Sequence, residues 1–587
     1  MAQSAWVIGV VSLLVTGTLY AGGRKSKHPG FALKAEQTAF VETGRYEEVT
    51  RLCQELAQSY PEQVSCERFG TSPEGRPLWH LIVGSVRKSE LARAQQRPVL
   101  LFQGGIHAGE IDGKDAGLLF VRDLLQNKVL AGILNEVTIV CVPVFNVDGH
   151  ERFGPYQRPN QVGPKETGWR TTAQNYNLNR DYMKADAPEM QAMLQLLQRW
   201  DPLLYVDLHV TDGAQFEHDI SVQIDPTQSG PKDLQQIAEH LTQLVMKGLS
   251  AKGHLPVSFY PSFRKEDDPL SGFEHAPQSP RFSNGYWALQ NRLGVLVETH
   301  SWRPYAHRVQ ATYDTLLLVA NELWQQHKAW RQTLQTIDRA EAQQAGQDLP
   351  LSFKNTETHQ MIDFRGYAYE RSLSPISGQL MTRYHPEKPE IWRVPLYSEV
   401  IPDQFAQVPR RGYLIPPAYR ALIQPRLEQH GITYETASLQ GEAELSAFHF
   451  QDVNLPATVQ ERHQRPQYKG SWQPFSEPLP AGYLFVPSAQ PRIRLIMQLL
   501  EPASKESLAA WGFFNEVFER KEYMEDYVAE DVGRELLKDP KIKAEFNEKL
   551  AKDSEFAKDP KARLDFFYQR HPSFDRRWMR YPILRLN

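Results

Sequence analysis

The sequence predicts an α/β fold, a mostly parallel or mixed central sheet flanked by helices, with an additional α+β region behind it that ends in helices. Two observations carry this. Short, uninterrupted apolar runs at residues 99–106, 137–144, 203–208 and 293–297 read as strands buried on both faces, and helical stretches separate them, as expected of a largely parallel sheet. Ionisable residues then recur at or just beyond the ends of three of these runs: His107 and Glu110, His209, and Glu298. In parallel sheets, groups at the carboxyl ends of strands gather in one crevice where ligands bind.

The elements follow in order along the chain. Residues 6–20 are apolar and precede Arg24, Lys25 and Lys27; this is short for a spanning helix and right for a signal-peptide core. Residues 1–23 are therefore assigned to a signal peptide or N-terminal anchor. Export to a periplasmic or extracellular space is expected, and envelope association remains open. A lead-in over 24–44 is followed by a first domain over 45–345. It starts with a helical pattern at 46–60 and a hairpin-like turn around 69–79, and closes with a long helical pattern over 310–344. An accessory α/β region spans 346–505, rich in Pro, Tyr and Arg. Within it, Gly412-Tyr413-Leu414-Ile415-Pro416 is echoed by Gly482-Tyr483-Leu484-Phe485-Val486-Pro487, each before a helical stretch. The last segment, 506–587, reads as helical. Asp539-Pro540 and Asp559-Pro560 each place an N-cap before a proline at the first helical position.

Bulk properties narrow the function. A chain of 587 residues is long enough for at least two cored domains. A net charge of −4 and a pI near 6.5 give no basic footprint for nucleic acid. Hydrophobic content of 41% and mean hydropathy of −0.51 fit a soluble globular protein. Of the three cysteines, Cys53 lies in the first helix and Cys66 opens the next strand. The two are placed to bridge in an oxidising compartment, or all three stay reduced in the core. Cys141 reads as a buried strand thiol.

His107-Ala108-Gly109-Glu110 is the feature with chemical content. An imidazole and a carboxylate three residues apart, at the mouth of a buried strand, can turn toward one cation. A catalytic zinc needs three protein ligands and an open position for water. With 18 His and 70 acidic residues in the chain, H-x-x-E alone means little; the third ligand and a base must come from elsewhere, and His209 and Glu298 qualify. Order and strand context resemble the zinc metallocarboxypeptidases of the M14, carboxypeptidase A-like, family. The resemblance covers roughly residues 45–330 and includes the G-x-S/T-x-E-G-R-like phrase at 70–76.

It implies a carboxypeptidase-like fold for the first domain and one zinc ion per chain on His107, Glu110 and His209, with Glu298 activating the zinc-bound water. Asn179-Arg180 would grip the substrate's terminal carboxylate, since a guanidinium bonds both oxygens at once. Arg170, in Trp169-Arg170-Thr171-Thr172, would polarise the scissile carbonyl. The sequence departs from the family at two points. Many members carry an acid two residues before the Asn-Arg pair, where this chain has Asn177. The substrate-capping tyrosine has no counterpart at the usual distance before Glu298, which leaves Tyr286 or Tyr260, and Tyr286 is taken as the substrate-binding candidate. The implied reaction is hydrolysis of a peptide bond beside a free C-terminal carboxylate. The alternatives are a zinc amidase or deacylase acting on cell-wall stem peptides or N-acyl amino acids, and a catalytically inactive module that binds peptide ends.

Overall fold

A computed structural model of the chain describes residues 31–438 and 444–587, so the leader assigned to 1–23 lies outside the described residues. The main sheet has eight strands: β1 (Val64–Thr71), β2 (Pro77–Val83), β3 (Val99–Gly104), β4 (Thr138–Val142), β5 (Leu204–Thr211), β6 (Ile220–Asp225), β7 (Pro256–Val257) and β8 (Leu293–His300). Their order is β1-β2-β4-β3-β5-β8-β6-β7. The four central strands β4, β3, β5 and β8 run parallel. Antiparallel pairs flank them, β1 and β2 with β4 on one side and β6 against β8 on the other. The sheet is therefore mixed with a parallel centre, as the uninterrupted apolar runs require.

Because strand side chains alternate, neighbours in one strand feed opposite cores. Phe102, Val206 and Val297 join the core under α1 (Tyr46–Ser59), α2 (Asp112–Leu125), α4 (Lys232–Ala251) and α6 (Tyr305–Glu341). Leu101 and Tyr205 face the other way, against α3 (Pro188–Trp200) and α5 (Ser283–Leu289). That second core continues without a break into the C-terminal region through Tyr413, Ile415, Leu427, Ile496 and Tyr581. Cys53 of α1 and Cys66 of β1 form a disulfide with their Cα atoms 5.4 Å apart, and Cys141 is a buried free thiol.

The C-terminal region is built on a six-stranded sheet ordered Glu435–Thr436, Leu484–Pro487, Gly412–Ile415, Arg580–Leu586, Leu445–Asn454, Gln467–Phe475. The two echoing phrases lie side by side in it, Leu414 opposite Phe485 in an antiparallel pair. Each is followed by a helix, Arg420–Gln429 and Ile493–Leu500. Asp539 and Asp559 cap the helices Pro540–Lys552 and Pro560–Tyr568, the first accepting from Lys541 N and the second from Lys561 N and Ala562 N. The expectation that the region ends in helices is corrected at its last element. Arg580–Leu586 is a strand in the interior of this sheet, because Tyr581, Ile583, Leu584 and Leu586 bury side chains on both of its faces.

One buried group sets a pH dependence of stability. Glu189, in the first turn of α3, is buried and neither carboxylate oxygen finds a partner among the described residues. Burial, with Asp148 and Asp181 adding to it, pushes its carboxyl up from 4.5 to about 7. The folded state thus holds a proton that the unfolded chain releases near 4.5. The stability linked to that proton is full below that point and is lost as pH rises through about 7. Glu189→Gln is expected to be close to neutral at pH 4 and to stabilise by about 1–2 kcal/mol at pH 8. Urea denaturation at both pH values measures this; equal effects at both would reject it.

Candidate metal centre

β3 ends at Gly104, where a Cβ would meet Pro143 O and Gly113 C at 2.8 Å. Gly105 then takes a left-handed φ of +62°. This turn sends residues 106–111 over the carboxyl end of the sheet before α2 starts. There Glu110 N donates to His107 O at 2.9 Å, folding the H-x-x-E segment so that its carboxylate meets its own imidazole. His107 Nδ1 lies 2.9 Å from Glu110 Oε1, and His209 Nδ1 lies 2.9 Å from Glu110 Oε2. The three donor atoms all lie within 4.8 Å of one another, and all three residues are buried.

The outward nitrogens decide what these imidazoles offer. His107 Nε2 is 3.1 Å from Asn177 Oδ1, and His209 Nε2 is 2.7 Å from Asp207 Oδ2. Both partners only accept, so each Nε2 carries a hydrogen and donates it. The Nδ1 lone pair of the neutral His107 then faces Glu110. On His209 the Nδ1 atom, 2.9 Å from Glu110, is where a cation would take the place of a proton. Two imidazoles and a carboxylate, each ring held by a partner behind it, is a donor set suited to zinc. Burial pushes the His107 imidazole down to about 4, so it stays neutral. Burial opposes the charged form of His209 too, but the Asp207, Glu298 and Glu110 carboxylates outweigh it and hold that imidazole well above its usual range. Asn177, the departure noted in the sequence, holds His107 through its amide oxygen.

Glu298 is not at the end of a strand but inside β8, and the parallel register sets it directly beside His209 of β5. Across its other edge it faces Ser221 of β6. It is 8% exposed, and its Oε2 has no hydrogen-bond partner among the described residues. Burial, with the Glu110 and Asp207 charges adding to it, pushes its carboxyl up to about 8. A free, buried carboxylate oxygen beside a candidate metal centre is available to handle protons.

Arg170 Nη1 lies 3.3 Å from Glu110 Oε1, with its side chain 39% exposed, so it edges the centre from the solvent side. Asn179 is buried and Arg180 is partly buried. Arg180 does not pair with its acidic neighbours: Asp181 bonds Lys184, and Asp186 bonds Arg426 and His463. Its guanidinium stacks 4.5 Å over the Phe282 ring and donates to Asn179 O. Burial lowers its pKa and the Arg170 charge adds to that, so the two cations sense each other.

Tyr286 is a correction. It is fully buried in α5, where its hydroxyl meets His430 Nδ1 at 2.9 Å and accepts from Gln290 at 3.0 Å. It belongs to the core shared with the C-terminal region and offers nothing to a substrate. Tyr260 is the tyrosine near the centre. Its hydroxyl bonds Thr211 Oγ1 at 2.9 Å, and burial, followed by the Glu298 charge, pushes its pKa up to about 12. Two more residues were not foreseen. Arg158 sits 3.2 Å from Glu110 Oε1 and donates to Val210 O; it lies in an aperiodic, proline-rich stretch without any sequence signal. Asp207 had one, because two residues before His209 on a strand means the same face.

The chain is similar to known carboxypeptidases. The model of the zinc carboxypeptidase family, peptidase M14, matches residues 49–251. That span includes His107, Glu110, Arg170, Asn179, Arg180 and His209, and stops short of Glu298. Carboxypeptidase 2 of Trichophyton equinum is 22% identical over 458 residues, covering 75% of this chain and 78% of that protein. Carboxypeptidase D of Rattus norvegicus is 26% identical over 186 residues, 30% of this chain and 13% of that protein. Among solved structures, carboxypeptidase A from Helicoverpa armigera aligns over 49% of this chain and 74% of that one, at 18% identity and a TM-score of 0.37.

Proposed function

We infer that this chain, which carries a zinc carboxypeptidase domain of the peptidase M14 family over residues 49–251, removes C-terminal residues from peptides by hydrolysing the bond next to a free carboxylate. Arg180 is the observation that carries this reading. A partly buried guanidinium without a carboxylate partner among the described residues is costly unless an anion arrives to meet it. A terminal carboxylate matches its planar fork, and Asn179 stands beside it.

His107, Glu110 and His209 would hold one zinc ion per chain. Zinc supplies a Lewis acid for the scissile carbonyl and lowers the pKa of water toward ~7. Glu298 takes a proton from the attacking water as the C–O bond forms, then passes it to the amine as the C–N bond breaks. Arg170 offsets the negative charge gathering on the carbonyl oxygen. Tyr260 replaces Tyr286 as the tyrosine closing on substrate. All these groups lie within 45–345, which we assign as the catalytic domain. Residues 346–505 and 506–587 are assigned as accessory regions packed against it. Export of the protein is supported by the Cys53–Cys66 disulfide. Among the described residues no helix is long and apolar enough to cross a membrane.

The test pairs free-acid peptides with their C-terminal amides and follows products by mass spectrometry. Wild-type protein is expected to produce ladders shortened from the C-terminus on the free acids. Arg180→Ala should lower kcat/KM on free acids by two to three orders of magnitude, about 3–4 kcal/mol, and leave the slow amide reaction nearly unchanged. Equal losses on both substrates would contradict carboxylate anchoring. Cleavage of N-acyl amino acids without peptide ladders would move the assignment to an amidase.

A further inference from the structure

A second cluster of metal-ligand side chains takes no part in the chemistry above. Asp219 stands immediately before β6, His254 lies between α4 and β7, and His307 is in the first turn of α6. Asp219 Oδ2 is 3.1 Å from His254 Nδ1 and 2.7 Å from His307 Nε2. The three donor atoms lie within 4.8 Å of one another, and the two imidazole rings are 5.4 Å apart.

The surroundings repeat the pattern of the first centre. A single carboxylate oxygen faces two imidazole nitrogens, as the Glu110 carboxylate faces two. The far nitrogen of His254 is held 3.2 Å from Asp314 Oδ2, as the far nitrogen of His209 is held by Asp207. Asp314 therefore accepts from His254 Nε2 and leaves Nδ1 toward Asp219, where an ion would take the place of the Nδ1 proton. Asp314 is itself occupied, by Lys252 Nζ at 2.8 Å and Gln310 Nε2 at 2.9 Å. Asp219 Oδ1 is taken by Leu255 N at 2.8 Å, which leaves Oδ2 for the cluster. His307 is 40% exposed at its side chain, giving an ion a path from solvent and a water a place to complete the coordination.

We propose that Asp219, His254 and His307 form a second site for a zinc-class divalent cation, with Asp314 positioning His254. Two imidazoles and one carboxylate suit zinc better than calcium or magnesium, which favour oxygen ligands. The site clamps three segments that are remote in sequence. It also abuts the proton-handling strand: Asp219 O accepts from His300 N at 3.1 Å, and Ser221 of β6 pairs with Glu298. Its role is to brace the end of β8, since metal bound only by the folded state adds its binding free energy to folding.

The experiment strips the full chain with a chelator, reloads it in buffered zinc and counts metal by mass spectrometry. Wild-type protein is expected to hold two zinc ions, His307→Ala one, His209→Ala one, and the double variant none. His307 is the chosen position because its partial exposure makes the substitution mild for folding. As a readout apart from counting, His209→Ala loaded with cobalt should show visible ligand-field absorption that the double variant lacks. Zinc should also raise the melting temperature of His209→Ala but not of the double variant. A wild-type count of one, with His307→Ala also at one, would overturn the proposal and leave the cluster as an ion-pair network. Two ions retained in His307→Ala would equally overturn it. Failure of the first centre reads differently, as a fall to zero in His307→Ala with no change in His209→Ala.

Discussion

Glu298→Gln is expected to keep zinc at the first centre and to lower kcat by about three to four orders of magnitude. The amide has the shape of the carboxylate, so β8, its register against His209 and the packing around it survive. What the amide lacks is an oxygen able to take a proton. In the wild type that oxygen is Oε2, buried and without a partner among the described residues. Burial and the neighbouring acids push the carboxyl up to about 8 when no cation is present. A dication beside it favours the ionised form, so metal and base cooperate: the ion that activates water also readies the group that deprotonates it. Steady-state kinetics with zinc counted in the same preparation gives the answer. Residual kcat within tenfold of wild type would reject Glu298 as the base, and loss of zinc would make it a ligand.

The parts legible in the sequence were those dictated by local periodicity. Uninterrupted apolar runs gave β3, β5 and β8, and the change to ionisable residues marked where the sheet meets its crevice. Even there the strands run on past the apolar stretch. β5 continues through His209 to Thr211 and β8 through Glu298 to His300. The polar side chains there are buried all the same, Glu298 beside His209 and His300 against Phe216, so hydropathy stops short of the true ends. Tyr286 was misplaced because its candidacy came from distance along the chain to Glu298. Its position is set instead by the buried face of α5 and by His430, 144 residues further on. Arg158 was invisible for a related reason. It reaches Glu110 from an irregular loop, and no period relates a loop residue to a strand end. The final strand, Arg580–Leu586, was hidden by the helices before it, although its alternating apolar residues are those of a strand. The 219/254/307 cluster joins three separate segments and has no motif spacing to betray it.

His209→Ala should cost the first centre its metal, weakening zinc binding by about a thousandfold or more and removing activity with it. His209 contributes one of three ligands, and its loss also opens a cavity between Glu110 and Asp207. Asp207→Asn is the sharper companion, since it leaves all three ligands in place. Asp207 accepts from His209 Nε2 and Ser283 Oγ on one oxygen and from Gln103 Nε2 on the other, so an amide there must turn its NH2 either toward Gln103 or toward His209 and Ser283. If it turns toward His209, the imidazole is driven to the tautomer with its hydrogen on Nδ1, where the metal should bind. Metal affinity should then fall by about 10–100-fold while catalysis at saturating zinc recovers most of its rate. Both variants are best measured by chelator competition in a His307→Ala background, so that zinc at the second cluster does not mask the result. Tight zinc retained by His209→Ala would remove it from the ligand set. An unchanged affinity in Asp207→Asn would mean that the strand alone orients the ring, leaving Asp207 to serve packing with Gln103 and Ser283.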